Sequence, residues 1–115
     1  MFKINNNDFK ILQKYKLFLI DLDNALENIP RKDMFYRDKI KETVLTLLDL
    51  ILVASYSDKQ DYFSKIKAKI SLIDFELERL TIKKYISLKV LEKLGLQLVE
   101  INKMVTGWLN YGSTN

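Results

Sequence analysis

Apolar residues recur at alternating spacings of three and four in four separate segments of this 115-residue chain. Such a repeat places an apolar stripe along one face of an α-helix, and helices with stripes of this kind pack side by side in left-handed bundles. We therefore predict four helices, at about residues 8–29, 34–56, 58–84 and 88–110. The length suits one domain, 1–115, with an all-α, up-down-up-down antiparallel four-helix bundle fold.

The predicted core consists of the stripe residues of the four helices. They are Ile11, Tyr15, Phe18, Leu22, Ala25 and Ile29 in the first helix; Ile40, Val44, Leu47, Ile51 and Ala54 in the second; Phe63, Ile66, Ile70, Ile73, Leu77 and Leu80 in the third; and Leu91, Leu94, Leu98, Ile101, Val105 and Trp108 in the fourth.

Local signals predict where the helices begin and end. Pro30 disfavours helical geometry before and within the first connection, so it ends the first helix. Asp33 is a candidate N-cap for the second helix, and Ser87 for the fourth. The segment Ser57-Asp58-Lys59-Gln60 has the form of a capping box, which predicts that Ser57 caps the third helix.

Composition excludes most enzyme chemistry. The chain has no cysteine and no histidine, which removes disulfides, thiolate nucleophiles, the usual zinc sites, catalytic triads and the di-metal cores of helix bundles. With only three glycines it lacks a glycine-rich phosphate loop. Asp74, Glu76 and Glu78 are spread around the third helix and are predicted to be solvated. We expect no catalytic residue, metal, cofactor or small-molecule substrate.

Charge and hydropathy patterning predict a cytoplasmic protein with no membrane association. The first residues lack the apolar region of a signal peptide, and no stretch of about 18 residues is free of charge. The formal net charge is +4, a mild excess that is compatible with nucleic acid or an acidic partner.

Basic residues cluster around the third predicted connection, where only Glu92 opposes them. Such a patch binds phosphates through counterion release, with little sequence specificity. The other interpretation is that these are ordinary solubilising side chains at helix ends. The candidate nucleic-acid-binding residues are Arg79, Lys83, Lys84, Lys89 and Lys93.

The second helix is more apolar than one core requires. Between residues 44 and 54 only Thr46 and Asp49 interrupt the apolar residues, which predicts that this helix also faces a second subunit. Trp108 continues the stripe of the fourth helix, so its place is in the core or at an interface. The predicted oligomer interface consists of Leu45, Leu48, Leu52 and Trp108.

Several short motifs occur in an order that resembles a known family. They include Ile29-Pro30-Arg31, Ala54-Ser55-Tyr56-Ser57, Ile86-Ser87 and Gly107-Trp108. Over nearly the whole chain this order is similar to the Avd-like four-helix bundle proteins, the accessory variability determinants of diversity-generating retroelements. That family is related to the four-helix proteins encoded in ribosomal-RNA intervening sequences.

The resemblance implies a homopentameric barrel with a basic surface. It implies a non-catalytic protein that binds the reverse transcriptase of the retroelement and nucleic acid, RNA or DNA. Arg79 matches an arginine that this family tends to place before a Leu-Ala pair. The alternative is an interaction or structural bundle with no nucleic-acid role, such as an intervening-sequence-type sibling, that uses its apolar second helix to bind another protein.

Overall fold

The computed structural model describes the backbone of residues 6–113 and the side chains of residues 10–108. Its four α-helices are α1 (Asn6–Leu26), α2 (Met34–Ser55), α3 (Phe63–Ile82) and α4 (Leu88–Ser113). Two short 3-10 turns, Arg31–Asp33 and Lys59–Tyr62, precede α2 and α3. No strand occurs between residues 6 and 113, so the predicted all-α class is confirmed.

Side-chain contacts show that neighbouring helices run antiparallel. Along α1, Lys14 Nζ lies 2.9 Å from Glu100 Oε1, whereas one of the carboxylate oxygens of Asp21 accepts a hydrogen bond from Gln97 Nε2 at 2.7 Å. Residue numbers therefore rise along α1 while they fall along α4, so these two helices are antiparallel. The closest packing joins α2 to α3, α1 to α4, and α3 to α4, while α1 and α2 approach each other less closely. This arrangement is a four-helix bundle.

The buried apolar side chains form one continuous core to which all four helices contribute. The predicted stripe of α2 is entirely buried. The stripes of α3 and α4 are also buried, apart from their first residues, Phe63 and Leu91, which are half-buried. In α1 the predicted stripe is buried except at Ala25, which is only half-buried. The neighbouring Leu26 is buried in its place. Spacing alone thus located most of the core.

The predicted cap of the third helix is wrong. The Ser57 amide donates a hydrogen bond back to the Ala54 carbonyl at 3.2 Å, so Ser57 belongs to the end of α2. The Asp58 side chain instead accepts a hydrogen bond from the Gln60 amide at 3.1 Å and opens the 3-10 turn. Because that turn intervenes, α3 begins at Phe63 rather than at residue 58.

The other helix ends agree more closely with the sequence. Ser87 Oγ accepts a hydrogen bond from the Val90 amide at 3.1 Å, which confirms the predicted cap of α4. Asp33 occupies the N-cap position of α2, but its side chain makes no capping hydrogen bond. The first helix ends at Leu26, earlier than predicted, although Ile29 still reaches the core with 7% exposure.

The end of α3 is a Schellman motif built without glycine. The Tyr85 amide donates to the Leu80 carbonyl at 3.0 Å, and the Lys84 amide donates to the Thr81 carbonyl at 2.9 Å. This pattern places Lys84 in the left-handed region, with φ of 66°. A side chain with a Cβ disfavours that conformation, which glycine usually occupies. The chain therefore holds a lysine at a backbone position that costs stability.

Two polar contacts connect helices beneath the surface. The Tyr15 hydroxyl donates a hydrogen bond to the Val44 carbonyl and joins α1 to α2. Burial raises the pKa of Tyr15 above its ordinary value. The Lys67 ammonium donates to Thr106 Oγ1 at 2.7 Å and to Asn102 Oδ1, which joins α3 to α4. These directional contacts fix the register of helices whose apolar stripes alone would permit sliding.

Candidate functional site

A groove of about 510 Å³ runs between α2 and α3. Three large apolar side chains on its rim are exposed: Phe35 by 66%, Phe75 by 60% and Leu72 by 41%. On α3, Leu72 lies next to the buried Ile73, and Phe75 lies two residues before the buried Leu77. The period of the helix therefore turns their side chains away from the core. The charged side chains that line the groove are Lys39, Glu42, Lys69, Glu76 and Arg79.

Glu76 is half-buried in this groove, which corrects the prediction that it is solvated. Burial raises the pKa of its carboxyl group, while a hydrogen bond with Thr43 and the nearby Lys39 and Lys69 ammonium groups offset part of the rise. The Thr43 hydroxyl donates its proton to the Lys39 carbonyl at 3.0 Å. Among the described residues, Glu76 Oε1 is buried without a hydrogen-bond partner.

At one end of the groove, two cations of α3 stack on an aromatic ring of α2. The Arg79 guanidinium lies 5.4 Å from the ring centroid of Tyr36, and Lys83 Nζ lies 5.0 Å from it. Arg79 also donates a hydrogen bond to the Tyr36 hydroxyl at 3.4 Å. Because the ring attracts both cations, it concentrates positive charge where α3 ends.

All five predicted nucleic-acid-binding residues are exposed at one end of the bundle, but they lie on two of its sides. Arg79 and Lys83 lean towards α2, as their contacts with Tyr36 show. Lys93 leans towards α1, where its ammonium lies 3.6 Å from an Asp21 carboxylate oxygen. Lys84 and Lys89 lie in the connection and at the start of α4, and neither forms an ion pair with the described residues.

Sequence reasoning missed the contribution of the first connection. Because α1 and α2 are antiparallel to α4 and α3, the connection between α1 and α2 lies at the same end as the connection between α3 and α4. Arg31 and Lys32 are exposed there and form no salt bridge within the described part of the chain. The predicted topology was the signal that could have found them. The positive end is defined here as Arg31, Lys32, Arg79, Lys83, Lys84, Lys89 and Lys93.

The predicted interface residues have different environments. Leu45 is 60% exposed, and Leu48 and Leu52 on the same outer side of α2 are half-buried. Trp108 is only 4% exposed and packs in the core, which is one of the two places predicted for it. Lys59 Nζ lies 5.1 Å from the centroid of its ring. Of the four predicted interface residues, the three leucines are therefore the ones that leave apolar surface available to a partner.

No group of three or more acidic, cysteine or histidine side chains is placed among the described residues to hold a metal ion. No helix in the described part of the chain combines the length and the apolar character needed to cross a membrane.

Comparison with known proteins yields neither a family nor a relative. No protein-family model matches the chain, and no curated protein matches its sequence significantly.

Proposed function

We propose that this chain is a non-catalytic accessory protein that binds nucleic acid and a reverse transcriptase in a diversity-generating retroelement, as its resemblance to the Avd-like proteins implies. The observation that supports nucleic-acid binding is the positive end, where cations from two connections are exposed together. Lys84 supports it further, because a lysine occupies a backbone position that glycine would occupy at lower cost.

The positive end suits phosphate groups rather than base edges. Lysine and arginine side chains that extend from turns neutralise backbone phosphates and release counterions, so the affinity arises without a fixed geometry. In the proposed cytoplasmic homopentamer the net charge of +4 per chain rises to about +20. Repetition of one weak site then supplies affinity that a single subunit lacks.

The experiment that tests nucleic-acid binding reverses two charges of the positive end, Lys83→Glu with Lys84→Glu. Binding to a single-stranded RNA and a double-stranded DNA is measured by fluorescence anisotropy between about 50 and 200 mM salt. We expect the parent affinity to fall log-linearly with salt, and the double variant to bind more weakly with a shallower slope at unchanged helicity and molar mass. The matched control is Lys10→Glu with Lys103→Glu, which makes the same charge change at the opposite end.

Equal loss of affinity in the two double variants would show that net charge, and not the positive end, governs binding. Unchanged affinity in the Lys83 and Lys84 variant would show that the positive end only keeps the protein soluble. Either result contradicts the proposed nucleic-acid site.

Binding of a reverse transcriptase needs its own test. A neighbouring reverse-transcriptase gene with a template repeat would favour the proposal, whereas an insertion inside a ribosomal RNA gene would favour the sibling family. With the two proteins purified, co-elution in size-exclusion chromatography measures the complex directly. Two separate peaks at micromolar concentration would contradict this part of the proposal.

A second candidate function is a protein-interaction or structural oligomer without a nucleic-acid role. The exposed side chain of Leu45, next to the half-buried Leu48 and Leu52, favours it. The charge-reversal variant separates the two candidates, because an oligomer that acts through these leucines keeps its partner when Lys83 and Lys84 are changed.

A further inference from the structure

The groove between α2 and α3 is long enough to bind one more helix, and its exposed apolar residues are spaced to contact one. Its lining extends over residues 35–46 of α2 and 69–80 of α3, which is about 17 Å, or three helical turns. On α3 the exposed Leu72 and Phe75 are three residues apart, and Ile82, seven residues further on, is 77% exposed. Spacings of three and seven form a continuous row along one side of a helix, and such a row accepts the apolar face of another helix.

The cations of the groove are spread along its length. Since α2 and α3 are antiparallel, Arg79 lies at the end near Phe35, Lys39 lies near the middle, and Lys69 lies at the end near Thr46. Lys39 is 3.9 Å from Glu42, which offsets part of its charge. The other carboxyl group of the lining is that of Glu76, so three cations stand against two carboxylates. The groove is therefore an apolar strip with a small excess of positive charge and a cation at each end, Arg79 at one and Lys69 at the other.

The floor of the groove also has an unfilled hydrogen-bonding position. Glu76 Oε1 is buried and has no partner among the described residues, which is a costly state for a polar atom. A hydroxyl or amide group that entered between Phe35 and Phe75 could donate to it. Such a donor would favour the bound state specifically, because the side chains now around this oxygen leave it unsatisfied.

We propose that the groove between α2 and α3 binds an acidic amphipathic helix of a partner protein, with its apolar face between Phe35 and Phe75 and its carboxylates on Lys39, Lys69 and Arg79. Complementary charge defines this partner, because the cations at the two ends of the groove, Lys69 and Arg79, repel a helix with a basic polar face. Leu45, Leu48 and Leu52 do not line the groove, so the proposal depends neither on nucleic-acid binding nor on the proposed oligomer.

The test uses two synthetic helical peptides of about 14 residues with leucine at positions i, i+3 and i+7. One has glutamate at the flanking positions, and the other has lysine at the same positions. Fluorescence anisotropy with the full chain measures both affinities at constant salt. We expect the acidic peptide to bind at least about tenfold more tightly than the basic one. Equal affinities, or no binding of either peptide at about 100 μM, would overturn the proposal.

Variants of the chain locate the binding site. Phe75→Ser removes an exposed apolar anchor, and we expect it to weaken the acidic peptide about tenfold. Lys69→Glu should weaken the acidic peptide and strengthen the basic one, a change of preference that unfolding cannot produce. The matched control is Leu17→Ser, which changes an exposed leucine of α1 that is 55% exposed. Unchanged peptide affinity in both Phe75→Ser and Lys69→Glu would overturn the proposal.

Light scattering of the Phe75→Ser variant tests whether the groove binds a second copy of this chain instead of a partner helix. We expect the molar mass of the parent and of the variant to be equal. A lower mass for the variant would show that the groove is a subunit interface, and the proposed partner helix would then be excluded from it.

Discussion

The carboxyl group of Glu76 is half-buried beside Thr43 on the floor of the groove. Its pKa is raised because burial removes water from the ionised form, and the hydrogen bond with Thr43 and the charges of Lys39 and Lys69 compensate only in part. A group whose pKa is higher in the folded chain stabilises the fold while it is protonated. That contribution is complete below the unfolded pKa and is lost as the pH rises through the folded pKa.

We therefore expect Glu76→Gln to raise the free energy of unfolding at pH 7 relative to the parent. Glutamine has the same shape and no charge to bury, so this advantage should shrink towards pH 4, near the ordinary pKa of a glutamate. Urea unfolding of both proteins at the two pH values measures it. Glu78→Gln on the exposed side of α3 serves as the control. An advantage of the same size at both pH values would contradict the assignment.

At the scale of helices, the connections decide which polar residue acts as a cap. Ser57 and Ser87 look alike in the sequence, because each precedes an apolar periodic segment. In the structure Ser87 caps α4, whereas the Ser57 amide bonds back to Ala54 in the turn that follows α2, and Asp58 accepts the hydrogen bond from the Gln60 amide. The difference depends on where α2 ends, and the local spacing of polar residues does not predict that position.

These assignments predict unequal costs for similar substitutions. Ser87→Ala and Asp58→Ala each remove an acceptor of a backbone N–H and should lower the free energy of unfolding by about 1 kcal/mol. Ser57→Ala removes no capping bond, so its effect should stay within about 0.5 kcal/mol. Urea titrations of the three variants against the parent measure the difference. The opposite order for Ser57 and Asp58 would restore the capping box that the sequence suggested.

Lys84 has a left-handed backbone conformation at the end of α3, so changing it can separate effects on stability from effects on nucleic-acid binding. Lys84→Gly relieves a conformation that disfavours a Cβ atom, so we expect the free energy of unfolding to rise by up to about 1 kcal/mol. The same change removes one cation of the positive end and should weaken nucleic-acid binding. Thermal unfolding and salt-dependent anisotropy measure the two effects on one sample. A less stable Lys84→Gly variant would contradict the expected strain.

On the scale of the whole molecule, the sequence predicted what depends on one helix at a time. The stripe from Ile40 to Ala54 is buried as expected, because an i, i+3, i+4 pattern defines a face wherever the helix packs. The burial of Glu76 and the placement of Arg31 and Lys83 at the same end of the bundle depend on register and topology between helices. The spacing of residues within one helix determines neither property. The groove was therefore not predicted, and the predicted positive end lacked Arg31 and Lys32.

The outer leucines of α2 lead to a prediction about assembly. We expect Leu45→Asp to dissociate the proposed oligomer, because a carboxylate buried without a partner costs several kcal/mol. Light scattering at micromolar concentration should show a fall in molar mass. Leu96→Asp on α4 is the matched control, since Leu96 is 66% exposed and Leu45 60%. A parent chain that is already monomeric would contradict the proposed interface.

The close packing of α1 on α4, rather than on α2, has a consequence for the order in which the chain is made. A ribosome completes α1 first, yet α4 begins about 60 residues later, so several seconds pass at about 5 to 20 residues per second before the main partner of α1 exists. Meanwhile α2 and α3, which are neighbours in the chain, can pair on the ribosome. Until α4 has been made, only α2 can cover part of the apolar face of α1, so we expect the docking of α1 on α4 to come last in the assembly of the bundle.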